Sequence, residues 1–77
     1  MTIGFILITA SAHKEKDVYM ALRNLDEVEE PLPLFGEYDI IVKVIGKSMD
    51  EIGRIVVEHI RTIDGVKDTK TLTGINF

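Results

Sequence analysis

Two stretches of this chain, Ile3–Ala10 and Asp39–Gly46, are mainly apolar at both even and odd positions. Side chains alternate across a β-strand, so strands of this kind need cover on both faces. In the second stretch Ile40, Val42 and Val44 form one face, and Ile41, Lys43 and Ile45 form the other. Lys43 is the exception and must snorkel or pair. Helices of the same chain can cover one face. With 77 residues in all, no segment is left over for the second face, so a second copy of the chain is the simplest cover.

The remaining sequence supplies the helices and the edges. Ser11–Leu25 reads as a first helix, with Val18, Leu22 and Leu25 at i, i+4 and i+7 and Ser11 as its N-cap. Val28–Phe35 reads as a weak second strand. Pro31 and Pro33 lie two apart, so their missing N–H groups point to one side, which suits a sheet edge. Gly36–Asp39 is a turn signal that leads into the third strand. Ser48-Met49-Asp50-Glu51 is a capping box that opens a second helix. Its stripe runs through Met49, Ile52, Val56, Ile60 and Ile63, and Gly65 is placed to end it. Val66–Phe77 reads as a fourth strand, with Thr69, Thr71 and Thr73 on one parity.

The order β-α-β-β-α-β predicts an α+β, ferredoxin-like fold: a four-stranded antiparallel sheet with two helices on one face. Strands one and three are central, two and four are edges. The opposite face exposes Ile and Val, which predicts face-to-face dimerisation into a dimeric α-β barrel. A domain this small buries only about 60% of its unfolded surface, which also favours self-association. No cysteine is present to supply a disulfide or a thiolate metal site.

Charge and motifs exclude several functions. The net charge is −4 and the nine basic residues are scattered, which argues against a nucleic-acid binder. The apolar N-terminal run has no Lys or Arg before it and is short for a signal peptide, and nothing approaches the roughly 20 apolar residues of a membrane span. A cytoplasmic protein is expected. His13 and His59 lack metal-ligand spacing. The acidic cluster Asp26, Glu27, Glu29 and Glu30 lacks the glycine of a calcium loop and reads as a solvated segment. No phosphate-binding loop or nucleophile motif occurs. No catalytic residue, metal or cofactor is expected.

The element order, the Phe35-Gly36-Glu37-Tyr38-Asp39-Ile40-Ile41-Val42-Lys43-Val44 stretch, the Ile63-Asp64-Gly65-Val66 turn and the Thr69-x-Thr71 pair resemble the RAM domain. That domain is the amino-acid-sensing module of Lrp/AsnC, or feast/famine, transcription regulators. The likeness spans essentially residues 1–77, read as one stand-alone RAM-type domain with no DNA-binding domain. It implies a two-fold dimer, often in rings of dimers, with a free amino acid bound at a subunit interface. It also implies either sensing alone or co-assembly with a full-length Lrp/AsnC-type regulator.

An α-amino acid needs N–H or hydroxyl donors for its carboxylate and an acid for its ammonium. That assigns the backbone N–H groups of Gly36, Glu37 and Tyr38 to the carboxylate and Asp39 to the ammonium, with Thr69 and Thr71 as further contacts. The residues by themselves leave plainer alternatives: Asp39 as a turn acid bonding its own backbone, Tyr38 as an interface aromatic, and the Thr row as ordinary strand formers. Two other functions also stay open at this point, a small dimeric monooxygenase-like enzyme and a purely structural oligomerisation module.

Overall fold

The structure, a computed structural model, describes residues 1–75; Asn76 and Phe77, the end of the expected fourth strand, lie outside the described residues. The chain forms β1 (Thr2–Ala10), α1 (Glu15–Arg23), β2 (Leu32–Pro33), β3 (Ile40–Gly46), α2 (Met49–Ile55) and β4 (Val66–Thr73). A π-helical turn, Val56–Ile60, continues α2. The four strands form one antiparallel sheet in the order β2-β3-β1-β4, with the two most apolar strands in the middle as expected.

The parity of β1 and β3 decides which side chains meet the helices. Ile6, Ile8, Ile40, Val42 and Val44 are buried against Val18 and Leu22 of α1 and Ile52, Ile55, Val56 and Ile60 of the second helical segment. The other parity faces outward. Phe5 pairs with Lys43 on one side and Leu72 on the other, Leu7 pairs with Ile41, and Leu32 also pairs with Ile41. Cross-strand partners share a face, so these residues, with Ile3 and Ile45, line one uncovered surface. Phe5, Ile45 and Leu72 each keep more than a third of their surface exposed.

Three local expectations change. First, α1 begins at Glu15 rather than Ser11, and Lys14, not Ser11, sits at the cap with no side-chain bond. Ser11 is held elsewhere. Its N–H donates to the Gly65 carbonyl at 2.7 Å, and its own carbonyl accepts from Lys14 N–H at 2.9 Å. This closes a tight turn in which His13 takes φ +70°. The start of the helix is set by the β1–α1 corner and by the neighbouring 60s loop, not by a local cap.

Second, β2 shrinks to Leu32–Pro33, helped by one isolated bridge between Val28 and Val44. It lies at the edge, as its prolines require. Third, the second helix is not α-helical throughout. Ser48 Oγ accepts from Glu51 N–H at 3.2 Å as the capping box predicts, and Glu51 Oε1 accepts from Lys47 N–H at 2.9 Å. Beyond Ile55 the turn widens. Arg61 N–H donates to Val56 C=O, an i→i+5 bond, and the Thr62 hydroxyl donates to the Glu58 carbonyl. Gly65 then takes φ +103° in the turn Ile63–Val66, closed by Val66 N–H donating to the Ile63 carbonyl.

Candidate functional site

The corner between β2 and β3 is held by Asp39 at three points. Its N–H donates to the Ile8 carbonyl at 2.9 Å, and its carbonyl accepts from Leu34 N–H at 2.7 Å. Its Oδ2 accepts from Ala10 N–H at 2.8 Å. Ala10 sits where the β1–β4 register shifts, a place where a strand N–H loses its ladder partner. The Asp39 side chain is therefore not bonding its own turn; it ties the corner to the end of β1. A carboxylate offers about four lone-pair sites, and this bond uses one.

Gly36 takes φ +142°, a conformation glycine alone adopts without strain, and a Cβ there would meet nothing within 4 Å. Among the described residues, the N–H groups of Gly36, Glu37 and Tyr38 find no acceptor in the protein. Gly36 and Glu37 are exposed, and Tyr38 and Asp39 are half-buried.

Thr69 and Thr71 lie elsewhere. They pair with Ile8 and Ile6 on the outer edge strand β4, and so share the parity of the helix-covered face. Ile8 in turn pairs with Ile40. Two inter-strand spacings, about 10 Å, therefore separate Thr69 from the corner. One chain brings Gly36, Glu37, Tyr38 and Asp39 together and leaves the two threonines apart from them.

Beside the corner is a cleft of about 280 Å³ between the first turns of α1 and the β2–β3 connection, with Lys16, Tyr19, Leu34, Asp39 and Ile40 among its walls. Its α1 wall was not singled out from sequence. The available signal was Tyr19 and Arg23, four apart and so on one helix face. Arg23 lies 5.8 Å from the Tyr19 ring centre, and both converge on Glu30: Tyr19 Oη donates to Glu30 Oε2 at 3.0 Å, and Arg23 Nε lies 3.4 Å from the same oxygen. The hydrogen bond to Glu30, then partial burial, raises the Tyr19 phenol above its ordinary 10.0.

The acidic segment is thus partly engaged rather than simply solvated. Glu30 anchors the loop to α1, and Glu27 Oε2 lies 3.9 Å from His59 Nε2. Among the described residues no cluster of His, Asp or Glu fits a metal ion, and no helix is long and apolar enough to cross a membrane. At the same end of the sheet as the corner, Lys14 Nζ pairs with Asp64 Oδ2 at 3.0 Å, which raises the Lys14 pKa.

The chain is 37% identical over 70 residues to the regulatory protein AsnC of Escherichia coli K12, covering 91% of this chain and 45% of that protein. The chain thus spans about half the length of the curated relatives it matches. The solved chain FFRP-DM1 superimposes with a TM-score of 0.89 at 35% identity, over 97% of this chain and 100% of that one. A transcriptional regulator of Neisseria meningitidis, solved in complex with L-methionine, has the same fold: TM-score 0.85 at 19% identity, over 97% of this chain and 50% of that one. The family profile described as "Lrp/AsnC ligand binding domain" matches residues 3–76. The chain belongs to the Lrp/AsnC ligand-binding domain family.

Proposed function

We propose that this chain is an effector-binding regulatory module that takes a free amino acid at its Gly36–Asp39 corner. The observation that carries the reading is the pairing of unlike groups there. Three consecutive N–H groups without a protein acceptor stand next to a half-buried carboxylate. Such N–H groups receive a carboxylate, and the remaining lone pairs of Asp39 receive an ammonium.

Thr69 and Thr71 join this site from a neighbouring copy, since their own chain holds them two strands away. The site is then complete only in the assembly. Two copies pair through the uncovered sheet faces, larger rings form from those pairs, and the assembly modulates transcription together with a full-length regulator of the same family. The named relatives support a regulatory rather than an enzymatic role. The methionine complex of the Neisseria regulator supports an amino acid as the effector class.

Isothermal titration of the oligomer with each of the twenty amino acids tests this. One or a few should give saturable heat. No heat from any of them, in a folded oligomer, ends the claim.

A further inference from the structure

The outer side of the second helix carries a hole between two knobs. Met49, Gly53 and Val57 recur every fourth residue, which puts them on one ridge. Met49 keeps 49% and Val57 59% of its surface exposed. A Cβ built on Gly53 meets nothing within 4 Å, so the gap between them is open. Glycine inside a helix is less stable than alanine, and no contact within the chain calls for it here. The next ridge carries Asp50, Arg54 and Glu58, and Arg61 follows the π turn; all four are exposed. Among the described residues none of the four forms an ion pair.

This pattern is self-complementary. Two antiparallel copies of the helix related by a two-fold axis beside Ile55 and Val56 set Val57 of each against the Gly53 gap of the other, since an isologous contact repeats each pair in reverse. The same axis sets Arg54 against Glu58 and Asp50 against Arg61, so every charge meets its opposite. Sliding the copies by one turn in one direction sets Arg54 against Arg54 and Asp50 against Glu58. Sliding them by one turn the other way sets Arg54 against Arg61 and Glu58 against Glu58. Both neighbouring registers pair like charges, which repel, and fill no gap.

We propose that the outer face of the second helix is a docking surface for the same helix of another copy, antiparallel, with Val57 of each seated over Gly53 of the other and Arg54 facing Glu58. The contact lies on the helical side of the sheet. It involves neither the uncovered sheet face nor the Gly36–Asp39 corner, and it does not rest on the effector reading. Its glycine explains why a helix-weakening residue stands in the middle of an exposed helix: a side chain there would fill the seat of Val57.

The test is site-directed cross-linking of the full chain. It has no cysteine of its own, so introduced thiols are the only ones present. An equal mixture of Gly53→Cys and Val57→Cys chains should give a covalent pair under mild oxidation, well above either variant alone. Adding Arg54→Glu to both chains should cut the yield about tenfold, and adding Glu58→Arg as well should restore it. Gly53→Leu serves as a folding control, because leucine is the better helix former. It should raise the urea midpoint while weakening the association seen by sedimentation, so lost docking cannot be read as lost folding. No covalent pair above the single variants, a yield indifferent to Arg54→Glu, no rescue by Glu58→Arg, or a Gly53→Leu chain that associates like wild type overturns the proposal.

Discussion

Replacing Asp39 by asparagine and by alanine separates its two roles. In the structure its Oδ2 satisfies the part-buried N–H of Ala10 at 2.8 Å. Asparagine keeps an acceptor at that place but turns a charge-assisted bond into a neutral one. Hydrogen bonds to charged groups contribute about 1.5–3 kcal/mol and neutral ones about 0.5–1.5, so Asp39→Asn should cost about 1 kcal/mol of folding stability. For a chain of this size that is roughly 4–8 °C in Tm. Alanine leaves the Ala10 N–H without a partner, which costs about 1–3 kcal/mol, the more so because the corner is then released from β1. Ligand binding should rank differently. Both variants remove the charge opposite the effector's ammonium, so both should lose about ten- to a hundredfold in affinity. Urea unfolding at one fixed protein concentration reads the first quantity, since association shifts apparent stability. Isothermal titration reads the second. If asparagine binds the effector as tightly as wild type, Asp39 holds the corner and nothing else, and its role toward the ligand is withdrawn.

Other changes follow from the same geometry. Gly65→Ala puts a Cβ 2.8 Å from Lys14 Cβ and 3.0 Å from Val18 Cγ2 at φ +103°; backbone strain and crowding together should cost about 2–5 kcal/mol, seen as a lower urea midpoint with an unchanged slope. The Tyr19 phenol, held above 10.0 by Glu30, should ionise at higher pH in the folded chain than in urea, and Glu30→Gln should narrow that gap in a 295 nm titration. Because the folded value is the higher one, the stability this pair supplies is present below pH 10.0 and fades as pH rises through the folded value. Phe5→Glu, on the uncovered face opposite Lys43 and Leu72, should dissociate sheet-paired copies into monomers by light scattering; an unchanged mass means that this face is not the interface.

The parts legible in the sequence were those governed by periodicity and composition. The alternating isoleucines and valines of β1 and β3 separated the helix-facing from the uncovered residues, because a strand offers only two sides. Pro31 and Pro33 placed β2 at an edge because they cannot serve a central ladder. Ser48 and Glu51 marked the start of α2 because their bonds are local. What escaped was set by distant partners. Ser11 has the chemistry of a cap, but Gly65, more than fifty residues on, takes its N–H. Asp39 reads as a turn acid until Ala10, 29 residues away, supplies the donor. The separation of Thr69 and Thr71 from the corner, by contrast, was already implicit in the expected strand order, which sets β4 and β3 on opposite sides of β1.

The wide turn at Val56–Ile60 has an outcome for how this chain tolerates change in length. A π turn holds one more residue than an α path between the same ends. Deleting Val57, whose side chain is exposed, would let the helix run on as regular α while Ile60 and everything after it keep their phase. The same one-residue loss between Met49 and Ile55 would swing Ile52 or Ile55 away from the sheet.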